Sequence, residues 1–267
     1  MKMPKIGLGT FRLKEQVVID SVLNGLELGY RHIDTAQIYG NEAEVGRAIK
    51  ESGIPRSELY ITTKIWTSNF SGNKLLTSLQ ESLEKLQIER LDMTLIHWPS
   101  PKDEVPVAEY MTALANAQEQ GLTQEMGVSN FTIAHLRQAI AAVGAGRITN
   151  QQIEIHPFLQ NKSVVAFCQE HQIPVTAYMP LAYGKVMHDP LLQKIAGKHA
   201  TTPALISLAW LLQQGFSVIP SSTKREHLAN NLKAADITLS DEEMSAIATL
   251  DINERIANPD FSPNWDR

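Results

Sequence analysis

The 267-residue chain, with 43 % hydrophobic and 20 % charged residues, is too long for a minimal module and carries enough apolar mass for one large core. Its formal charge of −5, with Lys and Arg scattered rather than clustered, excludes nucleic acid or an anionic membrane as the main partner. A lone cysteine, Cys168, excludes an internal disulfide, and no apolar run reaches the ~18 residues that a membrane span needs.

Taken in chain order, apolar runs rich in β-branched residues alternate with segments of helical period. A first strand reads at 5–11 (KIGLGTF), with a helix over 15–28. The strand 31–36 (RHIDTA) precedes a helix over 42–52, whose acidic first turn, Glu42 and Glu44 after Asn41, suits the positive end of a helix dipole. Strand 58–66 leads to helix 72–87, strand 91–98 to helix 105–119, and strand 125–131 to helix 132–143. Strand 148–155 leads to helix 161–171, strand 173–179 to helix 188–199, and strand 216–222 to helix 225–234. Two further helices read at 203–213, where Pro203 suits a first turn, and at 240–250, where Ser240 followed by Asp241, Glu242 and Glu243 forms a capping pattern. Such alternation implies a parallel sheet in an α/β fold. Eight units favour a closed (β/α)8 TIM barrel with two extra helices and a short C-terminal tail, as a single domain over 1–267; an open doubly wound sheet is the alternative. The N-terminal MKMPKIGLGTF has neither a long apolar stretch nor a cleavage pattern, so a soluble, cytoplasmic protein is expected. No segment marks itself as an obligate interface, which favours a monomer.

In a barrel the active site lies at the C-terminal ends of the strands. Those ends carry Asp34, then Lys64 and Trp66, then His97 and Trp98, then Ser129 and Asn130, with Gln151 in the sixth strand, Tyr178 in the seventh, and Ser221 and Ser222 in the eighth. A carboxylate at a buried strand end is costly without a cation. Lys64, from the neighbouring strand, supplies one, and Tyr39, five residues after Asp34, can reach both. A tyrosine has a pKa of about 10 in water, and a neighbouring ammonium favours its phenolate. Asp34 would hold Lys64 charged, Lys64 would tune Tyr39 as proton donor, and His97 would orient a carbonyl oxygen that gains charge as hydride arrives at its carbon. Taken singly, each residue has a plainer reading: Asp34–Lys64 as a structural ion pair, His97 as a rim histidine, Trp66 and Trp98 as packing. Their convergence on one mouth favours chemistry. GLGTFR has Arg12 where a dinucleotide fingerprint needs its third glycine, and no P-loop, GxSxG or HExxH occurs. The histidines lack metal-ligand spacing, His156 reads as structural, and Cys168 reads as a small buried hydrophobe.

The stretch GYRHIDTAQIYGNEAEVG (29–46), together with EMGVSNF, TTKIW, LIHWP, NQQIEIHPFLQ and AYMPLA in order, resembles the aldo-keto reductases over essentially the whole chain. Within that family the likeness is strongest to bacterial reductases of 2,5-diketo-D-gluconate. The resemblance implies NADPH-dependent carbonyl reduction, with Tyr39 as proton donor and Asp34, Lys64 and His97 beside it. It implies that Ser129, Asn130 and Gln151 bind the nicotinamide carboxamide and that Tyr178 stacks on the ring. Thr10, Asp34, Met179, Leu181, Ser221, Ser222, Thr223, Lys224, Arg225 and Asn231 would make further cofactor contacts. Phe11, Tyr39, Trp66, His97 and Trp98 would line the substrate side, with Thr10 beside Phe11. At the eighth strand, VIPSSTKREHLANN places Ser221 and His227 where the family usually has the Lys and Arg associated with the adenosine 2′-phosphate. Lys224 and Arg225 stand close by, just before a helix start, and can supply that charge.

The loop WPSPKDEVP and the tail after Leu250 are both short, which suggests an open site for small polar carbonyl compounds such as keto sugar acids and methylglyoxal, with Arg255 as one candidate carboxylate anchor. Two other functions remain open at this level. A non-catalytic NADPH-binding redox sensor need not keep all four site residues. A Schiff-base enzyme using Lys64 suffers from the carboxylate that keeps this amine charged.

Overall fold

The computed structural model describes residues 2–266. Eight parallel strands follow one another in chain order: β1 (Leu8–Gly9), β2 (His32–Asp34), β3 (Tyr60–Ile65), β4 (Leu91–Ile96), β5 (Thr123–Ser129), β6 (Ile148–Glu154), β7 (Val175–Tyr178) and β8 (Ser217–Val218). A parallel bridge between Ile6 and Val218 joins the last strand to the first and closes the barrel. The Gly7 N–H donates to the Val218 carbonyl (2.8 Å) and the Gly9 N–H to the Pro220 carbonyl (3.1 Å). Gly9 is required at this seam, because a Cβ there would meet the Ile219 carbonyl oxygen at 2.6 Å.

The expected runs 5–11 and 216–222 thus contribute strands of two residues each. Residues 11 and 12 already turn, Arg12 having φ +65°, and Pro220 has no N–H with which to continue a ladder. The helices are α1 (Glu15–Leu28), α2 (Glu42–Glu51), α3 (Lys74–Leu86), α4 (Val107–Glu119), α5 (Ile133–Val143), α6 (Lys162–Glu170), α7 (Pro190–Lys198), α8 (Pro203–Gln213), α9 (Arg225–Leu232) and α10 (Asp241–Ala248). Ser240 and Glu243 form the reciprocal capping box on α10 that the sequence announces. Asn41 makes no side-chain cap on α2. It is buried, with its amide donating to the Thr10 and Leu13 carbonyls (both 2.9 Å), and so ties the β1 and β2 loops together.

One assignment is exchanged. The sequence gives 188–199 to the barrel and 203–213 to the extra helices, but α8 packs on β8 and α9, while α7 packs outside it on α8 and α10. Pro203 and the run Leu205–Leu211 on α8 are buried on every side, whereas α7 buries one stripe.

Strand parity separates two environments. Ile33, Ile61 and Ile65 belong to the large core between sheet and helices, while Tyr60, Met93 and Leu95 form a separate cluster inside the barrel. His32, Asp34, Thr62 and Lys64 share that interior: His32 Nε2 lies 3.0 Å from Thr62 Oγ1 and Lys64 Nζ 2.5 Å from Asp34 Oδ1. Asp34 and Lys64 therefore project along the barrel axis towards the strands' C-terminal ends.

On the outer side, Gly46 of α2 lies against the backbone of α3, where a Cβ would sit 2.6 Å from the Leu86 carbonyl. Beside it the buried Glu42 carboxylate accepts from Thr63 Oγ1 (2.6 Å) and Ser82 Oγ (3.3 Å). Burial raises its pKa above the ordinary 4.5, the Thr63 and Ser82 hydrogen bonds offsetting only part. The folded state therefore holds this proton more tightly than the unfolded chain does. As pH rises from about 4.5 through the folded-state value, the carboxylate contributes progressively less to stability. Glu42→Gln should fit without that penalty, its amide donating to Ser82 Oγ, whose single proton then turns to the Ser78 carbonyl at 3.1 Å. At pH 8 the variant should be more stable by on the order of 1 kcal/mol, narrowing towards pH 4.5, in parallel urea melts. A gap that does not change with pH would contradict the assignment to Glu42 ionisation.

Candidate active site

The ends of the strands surround a cavity of about 680 Å³. Asp34, at the end of β2, and Lys64, one residue before the end of β3, are 1 % exposed at its base. Lys64 Nζ donates to Asp34 Oδ1 (2.5 Å), to the Thr35 carbonyl (2.9 Å) and to Tyr39 Oη (3.3 Å). Gln152 Nε2 crosses the barrel to the other carboxylate oxygen, Asp34 Oδ2 (2.8 Å). Tyr39 sits in the single 3-10 turn Gln37–Tyr39 after β2, and the Lys14 ammonium holds its carbonyl. Its ring packs between Phe11 (centroids 5.1 Å apart) and the His97 imidazole (5.6 Å, edge on). Trp66 also meets His97 edge on, with centroids 5.4 Å apart.

The electrostatics differ from the sequence expectation at one point. The sequence anticipates that Lys64 lowers the Tyr39 pKa. Instead burial, with Asp34 adding to it, outweighs the pull of Lys64, and the phenol is raised above its ordinary value of 10. Burial lowers the Lys64 pKa, but Asp34 and Tyr39 more than offset it, raise it above the ordinary 10.5 and keep the ammonium. Burial, reinforced by the Lys64 charge, pushes His97 well below the ordinary histidine range. At neutral pH the cavity floor therefore holds a protonated phenol, an ammonium and a neutral imidazole whose Nδ1 is buried without a partner.

Of the other expected residues, Phe11, Trp66, Trp98, Ser129, Asn130, Tyr178, Met179, Leu181 and Ser221 line the cavity. Asn130, in the left-handed region at φ +60°, donates to the His97 carbonyl (3.0 Å) and accepts from the Tyr178 hydroxyl (2.6 Å). Ser129 Oγ donates to the Gln152 carbonyl (2.7 Å). These bonds lock the β5 end to its neighbours.

Gln151 does not join them. Its parity on β6 turns it away from the barrel, and its amide donates to the Phe131 carbonyl (2.7 Å). Gln152 takes the cavity position. Thr10 also stands behind the wall, fully buried, its hydroxyl on the Asp34 carbonyl (3.0 Å). Asn231 is buried on α9, beside Tyr30. Ser222, Thr223 and Lys224 lead into α9, whose first residue is Arg225; all four lie outside the cavity, and the Lys224 N–H donates to Ser222 Oγ (3.1 Å). Arg225 bonds Glu27 (2.6 Å) and Asn24 (2.8 Å) of α1. Arg255 does not line the cavity: it donates to Asn161 Oδ1 (2.8 Å) and lies over the Trp265 ring at 3.6 Å. His156 and Cys168 are fully buried.

Sequence reasoning missed Arg12, Ile38 and Tyr183 at the rim and the tail residues Ile256–Pro259, all of which line the cavity. The Arg12 guanidinium lies 5.1 Å from the Phe11 ring and 4.9 Å from the Tyr183 ring. Phe261 closes on the edges of Trp66 (5.7 Å) and Trp98 (5.4 Å). The tail therefore builds one wall of a site that the sequence reading leaves open. Among the described residues no group of three or more His, Cys, Asp or Glu could hold a metal, and no helix is long and apolar enough to cross a membrane.

The parallel barrel thus carries a tyrosine, a paired lysine and a neutral histidine at one mouth. The profile of the Aldo/keto reductase family matches residues 5–252, and the chain belongs to that family. It is 58 % identical over 267 residues, the whole of both chains, to "Methylglyoxal reductase DkgB" of Escherichia coli O157:H7. Among solved structures it is similar to one described provisionally as a 2,5-diketo-D-gluconic acid reductase B, with TM-score 0.96, 40 % identity, and coverage of 99 % of this chain and 94 % of that one. An aldo-keto reductase enzyme from a Medee basin deep-sea metagenome library gives TM-score 0.93 at 37 % identity, covering 100 % of this chain and 97 % of the other.

Proposed function

We propose that the protein reduces small aldehydes and ketones to alcohols with NADPH, Tyr39 being the proton donor. The observation that carries this reading is the Tyr39 hydroxyl, directed at Lys64 Nζ (3.3 Å) on the cavity floor beside a neutral His97. Because burial keeps the phenol protonated, it is ready to donate. His97 donates an imidazole N–H to the carbonyl oxygen and sets its position. When hydride reaches the carbon, the oxygen gains charge and takes the Tyr39 proton. Lys64 then faces the phenolate, and Asp34 keeps Lys64 charged. The reductant must be a ligand, since the side chains lining the cavity include no hydride donor.

The residues fit a nicotinamide cofactor. Such a group supplies the hydride when bound. Ser129, Asn130 and Gln152 would hold its amide, the Tyr178 ring and the Met179 and Leu181 side chains would form an apolar wall, and Ser221 at the cavity, with Ser222, Thr223, Lys224 and Arg225 just outside it, would meet its phosphates. The exposed Lys224 and Arg225 replace the charge that Ser221 and His227 do not provide. The substrates proposed are 2-oxoaldehydes of the methylglyoxal type and 2,5-diketo-D-gluconate, reduced to 2-keto-L-gulonate. The relatives' names support the first and the similar solved structure the second. We take the chain to act as a cytoplasmic monomer.

The test is NADPH consumption by purified protein with methylglyoxal, 2,5-diketogluconate and an aromatic aldehyde, with NADH in parallel. NADPH-dependent turnover is expected. Binding of NADPH without turnover of any carbonyl would favour the sensor reading, and borohydride trapping of a carbonyl on Lys64 would favour a Schiff base. Lys224→Ala/Arg225→Ala should raise the KM for NADPH about 10-fold or more, while leaving that for NADH within about twofold. Equal effects on both cofactors would remove these residues from phosphate recognition.

A further inference from the structure

Glu154 is the last residue of β6, fully buried, and makes no contact with the cavity. Its carboxylate accepts three hydrogen bonds. One comes from His156 Nε2 (2.9 Å), which must carry the proton because a carboxylate only accepts. The other two come from the main-chain N–H groups of Ile256 (2.8 Å, to Oε1) and Ala257 (2.7 Å, to Oε2), a hundred residues further along the chain. Among the described residues no lysine or arginine forms an ion pair with it.

The same strand end grips the tail a second time. The Glu154 carbonyl accepts from Asn161 Nδ2 (2.6 Å), and Asn161 Oδ1 accepts from Arg255 Nη2 (2.8 Å). Arg255 in turn lies over Trp265, whose Nε1 donates to Asn258 Oδ1 (2.8 Å). The segment so held runs directly into Ala257, Asn258 and Pro259 at the cavity wall, and then into Phe261 against Trp66 and Trp98. Loop residues do not hold a wall in place by propensity, and charge-assisted bonds to two successive N–H groups fix one conformation.

We propose that Glu154 is a positioning residue for the carbonyl substrate: it fixes the segment Ile256–Pro259, and through it Phe261, and so sets substrate affinity without touching substrate or cofactor. This inference rests on the reductase reading of the cavity. It assigns work to His156 as well, as the donor that orients the carboxylate.

The test is Glu154→Gln in the full chain. Glutamine keeps one acceptor and turns an NH2 group towards an N–H donor, so at least one of the three bonds is lost. The KM for the best carbonyl substrate should rise about 10-fold or more, with kcat and the Kd for NADPH within about threefold. Phe261→Ala should raise KM too, and the double variant should fall well short of the product of the two, because both act through one wall. Unchanged KM, or KM and cofactor Kd rising together, would overturn the proposal, as would full additivity. In parallel, hydrogen exchange at the Ile256 and Ala257 amides should speed up at least tenfold in the variant, with the barrel strands unchanged; equal exchange overturns the latch whether or not the wild-type protein turns over. Absence of wild-type turnover, by contrast, would count against the reductase reading alone. If Glu154→Gln fails to fold, Arg255→Ala loosens the same segment from its other anchor and should give a smaller rise in KM, and no rise there would overturn the proposal.

Discussion

Tyr39→Phe should bind NADPH with wild-type affinity and lose carbonyl turnover by a factor of about 10² to 10⁴, the range for removing a positioned proton donor. The substitution deletes one oxygen and leaves the ring where it is, packed by Phe11 and His97. Lys64 keeps its bonds to Asp34 and to the Thr35 carbonyl, so no buried charge is stranded. The expected loss of stability is correspondingly small, about 1 kcal/mol for one net hydrogen bond. Stopped-flow measurement of the first turnover separates chemistry from product release. The pH dependence supplies an independent readout. The active form of Tyr39 is the protonated one, and burial raises its pKa above 10, so wild-type activity should not decline through this group until above the ordinary phenol range. A fall near neutral pH that vanished in Tyr39→Phe would mean that the phenol ionises early and that Lys64, not burial, dominates its environment.

The order of strands and helices was legible because each element carries its own period. Asp34, Lys64 and His97 could be placed at one mouth because the ends of successive barrel strands share it. Parity was also legible, yet easy to misplace by one residue. In NQQIEI, Ile153 and Ile155 face the helices, so Gln152 and Glu154 must face inward, yet both the reading of the strand ends and the resemblance pointed to Gln151. The uniformly apolar ALISLAWLL of α8 was a signal that this helix is covered on both sides and is the barrel helix. Other features carried no local signal. Ile256–Pro259 and Phe261 have no regular secondary structure, so their place in the wall depends on a hydrogen-bonding partner a hundred residues away. Arg255 looked free for a ligand, because nothing in its neighbourhood in the chain reveals Asn161 or the fold-back of Trp265. The sign of the Tyr39 shift was missed for a related reason: the charge of Lys64 can be read from a sequence, but the depth of burial that outweighs it cannot.

Lys64→Met should cost more than activity. Removing the ammonium leaves the Asp34 carboxylate, 1 % exposed, with Gln152 Nε2 as its remaining side-chain donor and the Thr35 carbonyl without its lysine. Breaking a buried pair from one side typically destabilises by about 3 to 5 kcal/mol, because the surviving charge has no counter-ion. Urea denaturation should show a loss of that size, together with turnover at or below the level of Tyr39→Phe. That result alone would not separate a folding role from a chemical one. The double variant Asp34→Asn/Lys64→Met does, because it removes both charges and leaves an amide beside a thioether of similar bulk. It should recover most of the lost stability, since the desolvation cost of the pair disappears along with its attraction, while turnover stays lost. Stability restored without activity would establish that this buried pair is retained for the proton transfer at Tyr39. Activity restored along with stability would mean that Asp34 and Lys64 serve the barrel alone, and that Tyr39 donates its proton without a neighbouring cation.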